Sequence, residues 1–431
     1  MIYWAQLLHF YQPPTQMPSM LRRICDESYR PLIRVFEEYP HARATINVNG
    51  VLTEMLMDCG HSDVIDGLRA LAQKGQIEFT GSGMHHPILP LFPRVEIQRQ
   101  ISLNRRTNRH FFGDPYAPKG FFPPEMCYSP KLLSPVAQTG YQWIILSGLA
   151  CPEEWPVDVI YRAEADDEAL TVFFRDDVLS NKIAFQDLGP TEFLADLDQK
   201  RGDRENIYVV TAMDAETFGH HIQGWERMFL AKVYDELEPP LQAYEDVRQA
   251  KVLAGQHATL LASSEAAAQV HMVTISELLD LFPQGQVLEP KASSWSTTAD
   301  DLEADNPYPL WHDRNNHIHS LQWEHLAICI DLVRKAEGCA DNDESRHSAA
   351  IARRLLDRAE HSCQMWWASK RPMWDINIIH MGLLDQLRVV VNAFRSINKS
   401  GADDETKRDS YYRTVAARDI RNKLEDQLFV H

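Results

Sequence analysis

Short apolar runs separated by amphipathic stretches govern the first two thirds of the chain. Runs at 2–9, 44–48, 76–80, 120–122, 143–146, 170–174, 207–211 and 272–275 are rich in Ile, Val, Leu, Phe, Trp and Tyr, and each has the length of a strand. Between the second and third, Val64, Ile65, Leu68, Leu71 and Ala72 recur at helical spacing, and Gly75 is placed to end that helix. The last run leads into a short helix ending near Phe282. Strand then helix, repeated, predicts parallel strands joined by crossovers. Seven or eight such units favour closure into a barrel over an open sheet. The chain contains no GxGxxG and no Walker loop, which weakens a nucleotide-binding reading.

Beyond 285 the pattern changes. Residues 286–320 are rich in Asn, Asp, Ser and Pro, which is loop chemistry. Leu383, Leu384, Leu387, Val390, Val391 and Phe394 then fall on one face of a helix. These shifts divide the chain into a barrel at 1–285 and a covering loop plus α-helical domain at 286–431.

The net charge of -18 on 431 residues repels phosphate backbones and anionic lipid. No nucleic acid or membrane partner is expected. A neutral ligand such as a sugar suits the charge, and so does solubility alone. Seven scattered cysteines without CxxC spacing favour reduced thiols and a cytoplasmic setting. The apolar start MIYWAQLLHFYQPP lacks a basic lead and a small-residue cleavage site, so it reads as the first strand. No apolar run reaches the roughly 18 residues of a membrane span.

Parallel barrels place their sites at the carboxyl ends of the strands. There the chain carries His9, Tyr11 and Gln12, then Asn47 and Asn49, then His85 and His86, then Glu125, Ser147, Arg175, Asp176 and Asp177, and finally Asp214 and Glu216. Glu125 follows Pro123 and Pro124, which stiffen its backbone. Asp214 ends the most apolar strand, where desolvation raises a carboxyl pKa and suits a general acid. Two carboxyls flanking one bond is the pattern of glycoside hydrolysis, although such acids also pair with Arg or cap helices. His9, His85, His86, His220 and His221 could bind zinc with Asp214, but no HExxH occurs, and substrate hydrogen bonds or packed imidazoles are the favoured reading. Trp295, Trp311, Trp366, Trp367 and Trp374 cluster late in the chain, as core or as platforms for sugar rings.

These stretches resemble motifs of glycoside hydrolase family 57. LHFYQPP is similar to its first motif, GQIEFTGSGMHHPILP to its second, GFFPPEMCYSP to its third and TAMDAETFGHH to its fourth. FFRDDVLSNKIAF and SCQMWWASKRPMWD resemble further family stretches, in the expected order. The resemblance implies an incomplete seven-stranded (β/α) barrel followed by a C-terminal α-helical domain. It implies a retaining glycoside hydrolase or transglycosylase on alpha-linked glucans, with Glu125 as nucleophile, Asp214 as acid/base and no cofactor or metal. His9, Gln12, His85, His86, Asp176, Glu216, His220, Trp295, Trp366 and Trp367 are the expected substrate contacts. Two departures stand out: Tyr11 occupies a position usually held by His, and Ala215 one usually held by Gly. A metal-dependent polysaccharide deacetylase and a non-catalytic carbohydrate-binding protein are the rival readings; neither the glucan linkage nor the oligomeric state is fixed by sequence.

Overall fold

A computed structural model describes residues 1–153, 157–237 and 270–430. Each expected apolar run forms a strand: β1 (Ile2–Phe10), β2 (Ala44–Val48), β3 (Ile77–Gly81), β4 (Gly120–Phe121) and β5 (Trp143–Ser147). After these come β6 (Ile160–Ala165), β7 (Glu168–Arg175), β8 (Ile207–Asp214), β9 (Val270–Val273) and β10 (Gln284–Val287). β6 and β10 were not expected. β6 runs antiparallel to β7 around Asp166 and Asp167, both at positive φ (52° and 63°), a conformation Asp tolerates in a two-residue turn. The 285/286 boundary falls inside β10.

The parallel strands follow the order β8-β1-β2-β3-β4-β5-β7. The expected closure does not occur, because among the described residues no ladder joins β7 to β8. That seam is crossed instead by isolated bonds. The Asp176 N–H donates to Val210 O (2.7 Å), and Arg175 Nε–H donates to Ala212 O (2.7 Å). The ring is therefore an incomplete seven-stranded barrel. β4 and β5 approach closely: a Cβ on Gly120 would lie 1.9 Å from the Trp143 ring.

Strand side chains alternate between two faces. Ala5 and Leu7 of β1, Phe173 of β7 and Tyr208, Val210 and Ala212 of β8 pack together inside the barrel. Trp4, Leu8 and Phe10 join Val209 and Met213 in the layer against the outer helices. By the same parity His9, Arg175 and Asp214 belong to the inner set, and Asp176 belongs to the outer one.

Four long helices form the C-terminal region: α1 (His317–Cys339), α2 (Asp343–Ala359), α3 (Ile376–Lys399) and α4 (Asp404–Val430). One apolar cluster runs from Ile97, Ile101 and Phe121 of the barrel into Leu326, Leu356 and Val390 of these helices. The expected face of α3 is rotated. Leu383 and Val390 are buried, but Leu384 and Val391 are exposed, because Gln386 turns inward to accept from the His325 ring (Nδ1–Oε1 2.6 Å) and to donate to Gln364 (2.9 Å). No helix among the described residues is long and apolar enough to cross a membrane.

Candidate active site

β1 and β8 pair in register, which sets His9 opposite Asp214. β1 also sets His9 opposite Asn47 of β2. Asn47 Nδ2–H donates to Thr80 Oγ1 (3.0 Å), which turns the Asn47 carbonyl to His9 Nδ1 (2.6 Å). His9 Nε2 lies 3.1 Å from His86 Nε2, and His86 Nδ1 lies 2.9 Å from Ser362 Oγ. Burial lowers the pKa of both imidazoles, His86 the further, so the pair is neutral and one proton lies between the facing nitrogens. The Tyr11 ring stacks on His86 at 3.9 Å, and its hydroxyl meets Cys363 Sγ at 3.4 Å.

Glu125 enters from the turn after β4. Its backbone is left-handed (φ 58°, ψ 17°), as is that of His86 (φ 59°). For non-glycine residues this conformation is sparsely populated and collects at functional sites. The loop after β10 locks the turn. Tyr128 and Ser293 exchange backbone bonds (2.9 and 3.2 Å), and the Trp295 N–H donates to Glu125 O (3.2 Å). Trp295 Nε1–H then donates to Glu125 Oε2 at 2.8 Å. Glu125 Oε1 lies 3.7 Å from His86 Nδ1, and 18% of the side chain remains exposed.

Three carboxyls share this region. Burial, followed by the charge of Asp214, pushes the Glu125 pKa up to about 8, while the Trp295 bond opposes the rise. Burial also raises Asp214, against the opposing influence of the neighbouring His9 and of the Arg175 cation. Glu216 is pushed up to about 8 by burial and by Asp214, and it accepts from Gln12 Nε2 (2.9 Å) and from the Tyr29 hydroxyl. At neutral pH such a cluster holds protons that isolated carboxyls would release.

The structure thus brings together Glu125, Asp214, His9, His86, Gln12, Glu216 and Trp295. It does not bring Asp176 there: the carboxyl caps the helix Asp177–Ala184 through the Leu179 N–H (3.0 Å) and pairs with Lys200 (2.7 Å). Its neighbour Arg175 takes the inner position instead, over the Trp295 ring (5.8 Å), as strand parity requires. The half-buried His85 lies by Asp357, Arg358 and His361 at the helical interface, where desolvation lowers its pKa to about 4 against the charge of Asp357. His220 pairs with Glu27 (2.7 Å). Trp366 and Trp367 meet each other edge to face (5.0 Å), and Trp366 packs on the core joining barrel and helices. Ala215 keeps a negative φ, so its methyl group costs no strain. Asn47, Arg175, Ser362 and Cys363 complete the site; the sequence placed Asn47 and Arg175 at the rim, and Ser362 and Cys363 in a family-like stretch, without giving any of them a role. Parity could have singled out Asn47 and Arg175, whereas nothing local marked Ser362 as a partner of His86.

Residues 6–241, just over half of the chain, match the family model for glycosyl hydrolase family 57. The chain belongs to glycosyl hydrolase family 57. Family 57 relatives include an alpha-amylase of Pyrococcus horikoshii, 28% identical over 256 residues, or 56% of this chain and 39% of that protein. A 4-alpha-glucanotransferase of Thermococcus kodakarensis is 27% identical over 259 residues, or 56% of this chain and 38% of that protein. The matches therefore span well under half the length of these relatives. The fold is similar to that of a GH57-type branching enzyme from Pyrococcus horikoshii: TM-score 0.67, 16% identity, 96% of this chain and 94% of that one. Among the described residues no group of three or more His, Cys, Asp or Glu side chains is arranged to hold a metal ion.

Proposed function

We propose that this family 57 chain is a retaining glycosidase or transglycosylase acting on alpha-linked glucans. Glu125 is the nucleophile and Asp214 the general acid/base. What supports the reading is the placement of Glu125 on a strained, locked turn beside a desolvated Asp214 whose charge acts on it. The relatives named alpha-amylase and 4-alpha-glucanotransferase point to the same substrate class.

In the first step Glu125 attacks the anomeric carbon and Asp214 donates its proton to the departing glycosidic oxygen, leaving a covalent glycosyl-enzyme. In the second, Asp214 takes a proton from water, giving hydrolysis, or from a sugar hydroxyl, giving transfer; the acceptor oxygen bonds to the anomeric carbon as the ester bond to Glu125 breaks and Glu125 leaves as carboxylate. Attack needs Glu125 ionised and Asp214 protonated. In the free site Glu125 competes strongly for the shared proton. The positive charge developing on the sugar ring favours the ionised form of Glu125 and so moves the proton toward Asp214. His9, Gln12 and His86 stand behind the carboxyls, with their polar atoms bonded to Asn47, Glu216, Ser362 and each other.

The test is product analysis with maltooligosaccharides and amylose, with the anomer of the first-formed product read by proton NMR. Chain shortening or redistribution with retained α-configuration is expected. A Glu125→Ala protein with undiminished turnover, or an inverted product, would sink the assignment.

A further inference from the structure

The C-terminal helical region reaches the proposed nucleophile through residues 362 and 363. The Ser362 N–H donates to His86 O (3.1 Å), and the Ser362 hydroxyl meets His86 Nδ1 (2.9 Å). Ser362, His86 and His9 are all buried. Their hydrogen-bond polarity can be followed atom by atom. The Asn47 carbonyl faces His9 Nδ1, so His9 holds its proton there and turns a bare Nε2 to His86. His86 must then donate from Nε2, which leaves its Nδ1 bare. The Ser362 hydroxyl donates to that nitrogen. The same Nδ1 lies 3.7 Å from Glu125 Oε1.

We propose that Ser362 is a positioning residue: by donating to His86 Nδ1 it fixes the His86 proton on Nε2, so that His86 presents no proton to Glu125. The consequence for chemistry rests on the proposed function, in which Glu125 is the nucleophile. Without the Ser362 hydroxyl, His86 gains by moving its proton to Nδ1, where it can donate to the carboxylate; His9 then changes tautomer and the Asn47 amide turns over, donating to His9 Nδ1 and accepting from the Thr80 hydroxyl. Ser362 thereby sets the pH at which the Glu125–Asp214 pair loses its last proton. The titratable groups facing these residues do not compete for the role. Burial holds Tyr11, Cys127 and Cys363 in their protonated neutral forms, and His361 is neutral with its pKa lowered to about 3. The remaining neighbours are His9 and Asp214, already part of the array, together with Arg175 and Glu216, which face Asp214 and are the same in every variant.

The isosteric pair Ser362→Thr and Ser362→Val separates the hydroxyl from the packing. Nitrogen-15 spectra of labelled histidine report the His86 tautomer, and carbon-13 titration of the Glu125 carboxyl reports its midpoint. The wild type and Ser362→Thr are expected to show the Nε2–H form of His86. Ser362→Val is expected to show the Nδ1–H form, with the Glu125 midpoint lowered by about one unit, as a gained hydrogen bond to the charged form requires. A wild-type His86 found in the Nδ1–H form overturns the proposal even if neither variant folds. So does a Ser362→Val protein with an unchanged tautomer, or Thr and Val variants that shift together. A wild type inert on amylose would count against the glycosidase reading and leave the tautomer result standing.

Discussion

Trp295→Phe isolates one hydrogen bond to the proposed nucleophile. The phenyl ring can keep the edge contacts with His9 (5.9 Å) and Phe122 (5.8 Å), while the Nε1–H donor 2.8 Å from Glu125 Oε2 is lost. A hydrogen bond to a charged group contributes about 1.5–3 kcal/mol net. At 1.36 kcal/mol per pKa unit, its loss raises the Glu125 pKa by about 1–2 units. The starting value is about 8, so at pH 7 the ionised fraction is already small. It should fall by a further factor of about 10–100 in the variant. The assay is kcat/KM on a maltooligosaccharide from pH 5 to 10. On the neutral plateau kcat/KM should drop by up to about 10–100-fold, and the alkaline limb should move upward by about 1–2 units, so that the deficit shrinks as pH rises. An equal loss at every pH would mean that Trp295 acts only by stacking on sugar. No loss would mean that the bond does not tune Glu125.

Three further outcomes follow from the same groups and their supports. The folded-state pKa of Glu125 lies above its ordinary 4.5, so its stabilising contribution is full below pH 4.5 and is lost as pH rises through about 8. Across that window Glu125→Gln should therefore gain stability relative to the wild type, by up to about 5 kcal/mol in urea melts, and a pH-independent difference would refute the burial argument. Arg353 bridges Glu96 (2.8 Å) and Asp357 (3.1 Å) in a buried ion cluster where barrel meets helices, and Arg353→Ala should cost about 3–5 kcal/mol because it strands buried carboxylates; a loss below about 1 kcal/mol by denaturant titration would contradict it. Gly120→Ala places a methyl 1.9 Å from the Trp143 ring and should destabilise by at least about 1–3 kcal/mol, measured as a fall in Tm; an unchanged Tm would show that β4 and β5 can separate freely.

The sequence by itself determined the repeating units and the chemistry available at their ends. Runs such as 44–48 and 207–211 are short and rich in β-branched residues, which suits buried strands, and the ionisable groups after parallel strands emerge at one rim. That reasoning reached Glu125, Asp214, Glu216, Gln12 and both site histidines, all of which follow an apolar run within a few residues. Strand parity was also present in the sequence, and it separates Arg175 from Asp176: adjacent residues of a strand face opposite ways, so only one of the two can enter the barrel. Tertiary structure alone decided the rest. The ring stays open because Arg175 and Asp176 bridge β7 to β8 with single bonds where a ladder would be needed. Gln386 rotated the face of α3 by bonding to His325 and Gln364, partners 61 and 22 residues away. Ser362 reached His86 across 276 residues. Local periodicity records which face of an element avoids water; it holds no information about which distant donor will meet a given buried nitrogen, because that match is made only when the elements pack.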